Sequence, residues 1–402
     1  MTAYRYAKNI PLHYGFTVLM NLSFTHGLWM IYLAHRGFSL MQLGLLEAFF
    51  HVTSFLMEVP TGTVADIWGR KASRIAGRFA YAASLVCMFY AQSFVLQLVA
   101  FALSALGYNL ESGAGDAFLY DSLLLDARES SYMKKKGMDE LFYQICAIAS
   151  FILGGVFASI DYALAFALTI ASSLLAFGVG WFFKEPQLSK QKKNSDTRYA
   201  LQILVSIKNQ IQDSVRVFRT TKKIAFLILF CETLFAFMVC LFFYLQNFWT
   251  QKGYGVDYIG YVFALHASVA ALFSFKASAI EAKIGQKGVL FGCPLLLLIC
   301  LWGVSIPGYS MVFYILLGAV EGLLAPTISS YLNVLIPSEF RATILSFQSM
   351  AYSLFMIVMF PVIGWIAASF SLETAFFVMA AVATLLALLF VLILRRTFVT
   401  RC

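Results

Sequence analysis

An all-α membrane protein, with twelve transmembrane helices in two pseudo-symmetric six-helix bundles, is the fold class this sequence predicts. Three observations carry the prediction. Of 402 residues, 61% are hydrophobic and only 12% charged, about half the charged share of a soluble domain. The apolar residues fall in runs of about 20 or more, enough for a helix to cross a bilayer. The basic residues gather in alternate loops between those runs.

The runs lie at 11–34, 40–66, 72–93, 95–121, 139–160 and 162–184, then at 222–249, 256–280, 287–305, 309–336, 342–369 and 372–394. Several exceed the minimum length, which implies tilt. One hydrophilic segment separates the two sets of six. It carries Lys190, Lys192, Lys193, Arg198, Lys208, Arg216 and Arg219 with Asp196 and Asp213. The expected domains are therefore an N-terminal bundle over 1–184, a cytoplasmic linker over 185–221 and a C-terminal bundle over 222–402. Residues 201–219 read as an amphipathic helix on the membrane surface.

With the N-terminus in the cytoplasm, every Lys and Arg except Arg36 and Lys252 falls on the cytoplasmic side, as the positive-inside bias requires. The expectation is a multi-pass protein of the plasma (inner) membrane with both termini cytoplasmic. The net charge of +9 then anchors loops at an anionic leaflet, not nucleic acid. The seven cysteines show no CxxC or Cys/His spacing, so they read as reduced packing residues and no metal is expected. The first run is too long for a cleavable signal peptide and lacks a small-residue cleavage site. Helix 4 (Gly107, Glu111, Tyr120) and helix 10 (Gly318, Glu321, Tyr331) share nearly the same spacing, a trace of internal repetition.

The stretch Glu58 to Lys71, EVPTGTVADIWGRK, joins helices 2 and 3. Gly62 permits close helix approach and Gly69 a tight turn. Asp66 stands beside Arg70 and Lys71, where a charge network can form or break as helices slide, and Asp121 at the end of helix 4 offers Arg70 a partner. The alternative is a basic anchor with a solvated acid. Gly62, Ala65, Asp66, Gly69, Arg70 and Lys71 match in register the G-x-L-a-D-r-x-G-r-k-x-x-l pattern of the major facilitator superfamily, which this chain resembles. It departs at Val64, Ile67 and Arg74, the last in place of an apolar residue. The segment Pro337 to Ser346 and the pair Pro361 and Gly364 are similar to further stretches of the same family. The resemblance implies that the charge network latches the cytoplasmic side in an outward-open state. Two drug-exporter motifs are incomplete: Asn109 stands where an Arg is expected, and only Gly154-Gly155 remains of the helix 5 pattern.

Ionisable residues inside spans usually face a cavity or a partner. Glu47, His51, Ser54 and Glu58 share one face of helix 2. Thr17, Asn21 and Thr25 stripe helix 1. Asn109, Ser112 and Asp116 share a face of helix 4, with Glu111 on another. Glu232 lies in helix 7 and Glu321 in helix 10. Arg78 and Lys276 read as the only bases near the spans, both close to the inner surface. Acids without bases point to proton exchange and to a cavity for cationic or neutral compounds. The expected cavity residues are Asn21, Thr25, Glu47, His51, Glu111, Asp116, Glu232 and Glu321. For Glu58 and Asp116 the alternative is membership of the latch; for Glu47, a hydrated outer mouth; for His51 and His266, ordinary hydrogen-bonded packing. Aromatic residues of helices 7 and 8, such as Phe235, Tyr244 and Trp249, suit an amphipathic ligand.

The functional expectation is a monomeric secondary active transporter working by alternating access, coupled to protons, that exports a small amphipathic neutral or cationic compound of drug or metabolite type. Multidrug antiport fits this expectation. Nutrient uptake, flipping of a lipid-like molecule and a non-transporting receptor are the alternatives. No catalytic cluster and no phosphate-binding loop occurs, so neither an enzyme, a pump nor a cofactor is expected.

Overall fold

The computed structural model describes residues 5–187, 222–335 and 341–394. The amphipathic reading of 201–219 and the first four residues of the resemblance at Pro337 to Ser346 lie outside the described residues, as does most of the linker.

Every described regular element is a helix, as the apolar runs require: in hydrocarbon each backbone N–H and C=O must find a partner within the segment. The helices are α1 (Asn9–Asn21), α2 (Trp29–His35), α3 (Leu40–Trp68), α4 (Arg70–Tyr90), α5 (Phe94–Glu111), α6 (Ala114–Leu125), α7 (Tyr132–Ile160), α8 (Tyr162–Trp181), α9 (Lys222–Gln251), α10 (Val256–Val304), α11 (Ser310–Leu335), α12 (Arg341–Ser369) and α13 (Leu372–Leu394). Among the described residues nine stretches are long and apolar enough to cross a membrane. The twelve expected spans are recovered once three local features are counted. The first span is interrupted at 22–28, between α1 and α2. The third, α4, carries Arg70, Lys71, Arg74 and Arg78. The eighth and ninth, which share the range of α10, are two helices that meet at Gly285, where the backbone leaves the helical region (φ 69°). The fourth span is also interrupted: Gly113, with φ 72°, turns the chain between α5 and α6.

The chain forms two compact units: Met1–Trp29 with Phe49–Asn209, and Met30–Ala48 with Gln210–Cys402. In the first unit α4 packs on α5 and α8, and α1 on α7 and α8. The α4–α5 crossing is tight, since a Cβ on Gly77 or on Gly107 would stand 2.9 Å from the other's carbonyl oxygen; small residues allow such approach between membrane helices. In the second unit α10 packs on α11, and α9 on α12. Residues 40–48 of α3 belong to this unit. A Cβ on Gly364 of α12 would lie 2.6 Å from the Leu40 carbonyl, and Gly44 sits directly against Tyr244 and Phe360.

Candidate functional site

In the first unit, the loop after α3 is built on Gly69. Its φ of 98° ends α3 and starts α4, a conformation glycine adopts without strain. A Cβ there would also come within 2.6 Å of Glu185 Cδ. Glu185 accepts hydrogen bonds from the backbone N–H of Arg70 (2.8 Å) and of Lys71 (2.7 Å), so a carboxylate caps the positive end of α4. Burial pushes this carboxyl up from its ordinary value while the two N–H donors pull it back. Arg70 lies 3.1 Å from Asp66 and 3.5 Å from Asp121. Lys71 Nζ donates to the Trp181 carbonyl at 2.7 Å. Gly62 meets nothing within 4 Å, so the close approach expected of it is not made here. Asn9 ties the start of α1 to this region: its side chain donates to Ser122 Oγ and the Lys184 carbonyl and accepts from the Lys184 N–H.

Deeper in the same unit lies a chain of alternating charges. Arg74, 1% exposed, donates to Glu111 through Nε, with both Nε and Nη2 3.0 Å from Oε1. Its guanidinium sits over the rings of Phe16 (4.2 Å), Phe183 (5.0 Å) and Phe118 (5.3 Å). Glu111 occupies the space left by Gly115, whose Cβ would stand 2.8 Å from Oε1. Arg74 Nη1 lies 3.0 Å from His13 Nδ1. Arginine can only donate, so Nδ1 accepts and the ring proton is on Nε2, which stands 3.1 Å from Asp139. Asp139 also accepts from Thr17 at 2.7 Å, and Lys136 bridges Asp139 (3.3 Å) and Asp116 (2.5 Å). Acids lacking nearby bases, the premise of the expected cationic or neutral cavity, therefore do not describe Glu111 or Asp116. Arg74 belongs inside the helix packing.

The other expected residues of this unit are dispersed. Asn21 donates to the Thr17 carbonyl of its own helix (2.8 Å). Thr25 is buried in the interruption of the first span. His51 is buried beside Phe50, with ring centroids 5.2 Å apart. Ser54 and Asn109 exchange two hydrogen bonds of 2.7 Å between α3 and α5.

In the second unit, Glu47 is buried near Cys240 and Tyr244 of α9. Glu232, also buried, accepts from Gln348 of α12 at 2.6 Å. Glu321 of α11 pairs with His266 of α10: Nε2 to Oε2 is 2.9 Å, while His266 Nδ1 lies 2.8 Å from the Tyr314 carbonyl. The Tyr314 ring stacks on the imidazole at 4.4 Å. Glycine makes the pair reachable, since a Cβ on Gly318 would stand 2.5 Å from the His266 carbonyl. The Glu321 side chain is 46% exposed, so this dyad has an open side.

Sequence reasoning left Arg74, His13, Asp139 and Glu185 without roles. The signal for Arg74 was present, as it replaces an apolar position of the pattern after the loop. Nothing local marked His13 or Asp139: His13 meets Arg74, and Asp139 meets His13, only in the folded chain.

A family model described as Major Facilitator Superfamily matches residues 14–302 and 225–401. The chain is 25% identical over 391 residues to "Uncharacterized MFS-type transporter YxaM" of Bacillus subtilis (strain 168), covering 92% of each. Among solved structures it resembles the nucleoside transporter NupG (TM-score 0.76, 14% identity, 95% and 98% of the two chains). It also resembles a bacterial homolog to human lysosomal transporter Spinster (0.75, 15%, 99% and 98%) and a D-xylose-proton symporter (0.72, 14%, 96% and 97%).

Proposed function

This chain belongs to the Major Facilitator Superfamily, and we propose that it is a proton-coupled secondary active transporter exporting a small amphipathic compound. It is a membrane transporter of that type. The finer reading is ours: two six-helix bundles, 1–184 and 222–402 joined by the linker 185–221, alternate access to a midplane site. The same reading takes the protein as a monomer in the plasma membrane with both termini cytoplasmic.

One observation carries the coupling. The Tyr314 carbonyl can only accept, so His266 Nδ1 bears a proton. Nε2 then faces a Glu321 oxygen at 2.9 Å. Two lone pairs at that distance repel, so the contact is attractive only when one further proton lies between them, as imidazolium with carboxylate or imidazole with carboxylic acid. Loss of that proton turns attraction into repulsion, and Glu321 has an open side toward which to move. A ligand or proton that favours one arrangement shifts the conformational balance by its differential interaction. At the loop after α3, Arg70 between Asp66 and Asp121 supports the latch that such a shift would open and close.

The test is flux in proteoliposomes under an imposed pH gradient, screened over cationic, neutral and anionic amphipathic compounds. Gradient-driven flux that Glu321→Gln abolishes, while the protein stays folded, is the expected result. Flux indifferent to the gradient would sink the coupling and favour a facilitator or flippase. Ligand binding without any flux would favour a receptor.

A further inference from the structure

Arg78 is buried in α4, 5% exposed, and lacks the partner that such a charge requires. Among the described residues no carboxylate reaches it within ion-pair distance, and its Nε is enclosed without an acceptor. Glu111 and Arg74 act on it electrostatically, yet Glu111 is already held by Arg74 through two nitrogens. The contact Arg78 does make is with a ring: its guanidinium lies 5.1 Å from the centroid of Tyr81. The depth is considerable, since Arg78 follows the start of α4 by eight residues, about 12 Å at 1.5 Å per residue.

A charged side chain in a span costs several kcal/mol even with snorkelling. Arg74, one turn away, offsets that cost with a carboxylate, a histidine and three rings. Arg78 has one ring and no anion. Its surroundings are also those of a site. Tyr81 reaches the interruption of the first span, where its hydroxyl lies 3.1 Å from Ser23 Oγ. Non-helical backbone at membrane depth persists where protein or a water-filled cavity surrounds it. Ser150 meets the same interruption, accepting from the Ser23 N–H at 3.1 Å and donating to the Asn21 carbonyl at 3.2 Å.

We propose that Arg78 is the binding residue for a carboxylate on the transported compound, beside the interrupted first span. A planar carboxylate matches the guanidinium fork. A single charge fits better than a phosphate dianion, because among the described residues Arg78 is the one unpaired cation at this place and Glu111 acts on it as well. This rests on the reading of the chain as a transporter of small amphipathic compounds. It replaces the neutral or cationic substrate that acids without bases suggested.

Thermal unfolding of the purified full chain tests it with 4-phenylbutyrate, its methyl ester and 4-phenylbutylamine at equal concentration. The carboxylate raises the wild-type melting temperature, whereas the ester and amine do not. The rise disappears in Arg78→Met and is partly kept in Arg78→Lys. Without ligand, Arg78→Met melts at or above wild type, because an unpaired buried cation has been removed. No rise with 4-phenylbutyrate, an equal rise in Arg78→Met or an equal rise with the ester overturns the assignment. So does an unliganded Arg78→Met that melts well below wild type, since Arg78 would then be structural. An intact rise with gradient-insensitive flux of 4-phenylbutyrate counts against proton coupling alone and supports Arg78.

Discussion

Replacing Gly318 by alanine tests whether the His266–Glu321 dyad depends on the close approach of α10 and α11. The added Cβ would stand 2.5 Å from the His266 carbonyl, against about 3.4 Å where ordinary contact begins. Packed membrane helices cannot absorb that difference by a side-chain rotation, because the obstacle is backbone. The helices must part locally by roughly 0.9 Å. Carried to the dyad, that shift lengthens the 2.9 Å His266–Glu321 contact to about 3.8 Å, outside hydrogen-bond range. Overpacking of this kind costs about 1–3 kcal/mol, a loss of a few degrees in melting temperature. Two measurements are paired: thermal unfolding in detergent and pH-gradient-driven flux in proteoliposomes. Gly318→Ala should melt lower and transport with a weakened gradient dependence, and in a Glu321→Gln background it should change the gradient dependence no further. A Gly318→Ala protein with wild-type melting and wild-type gradient dependence would refute the argument, because the helix spacing would not then control the dyad.

Three other outcomes follow from the geometry. Arg74→Met and Glu111→Gln should each destabilise by about 3–5 kcal/mol by stranding a buried partner charge, while the double variant recovers much of the loss; additive losses in a double-mutant cycle of unfolding midpoints would remove the pairing. Gly69→Ala should lower the melting temperature through its positive φ and its collision with Glu185, and by less in a Glu185→Ala background, where the collision is gone; an equal drop in both backgrounds contradicts this. Lys252→Ala should change stability by less than about 1 kcal/mol, because its 2.7 Å bridge to Glu373 joins two half-exposed side chains; a loss of several kcal/mol by thermal unfolding would show that exposure misjudges this pair.

The helices were legible because the bilayer imposes a length and an apolar composition that no single residue can hide. The loop after α3 was legible because Gly69 and its charged neighbours are contiguous. The interruption at 22–28 was missed although Ser23, Thr25, His26 and Gly27 lie in it, because the flanking residues keep the whole run apolar and what holds the break is Ser150, more than 120 residues away. The break between the eighth and ninth spans was legible from the polar residues around it, and the backbone leaves the helical region at Gly285. The pairing of Arg74 with Glu111 and His13 escaped a reading along the chain because it joins three helices. The His266–Glu321 dyad escaped it because the two residues lie 55 positions apart on different helices. Glu111, Glu232 and Glu321 were singled out from sequence as costly charges; their partners were visible only in three dimensions.

Residues 40–48 pack with helices from the far end of the chain, and this bears on how the protein is made. Gly44 leaves the ribosome 200 positions before Tyr244, its neighbour in the folded unit (244 − 44). At about 5–20 residues per second, that is roughly 10–40 s during which the start of α3 sits in lipid without its final packing partners. A fragment beginning at 222 would face the converse difficulty: Tyr244 and Gly364 would lack the Leu40 to Gly44 backbone that covers them. The second half of the polypeptide thus depends on the first for its own completion, and an early segment must wait, already inserted, for late helices to arrive.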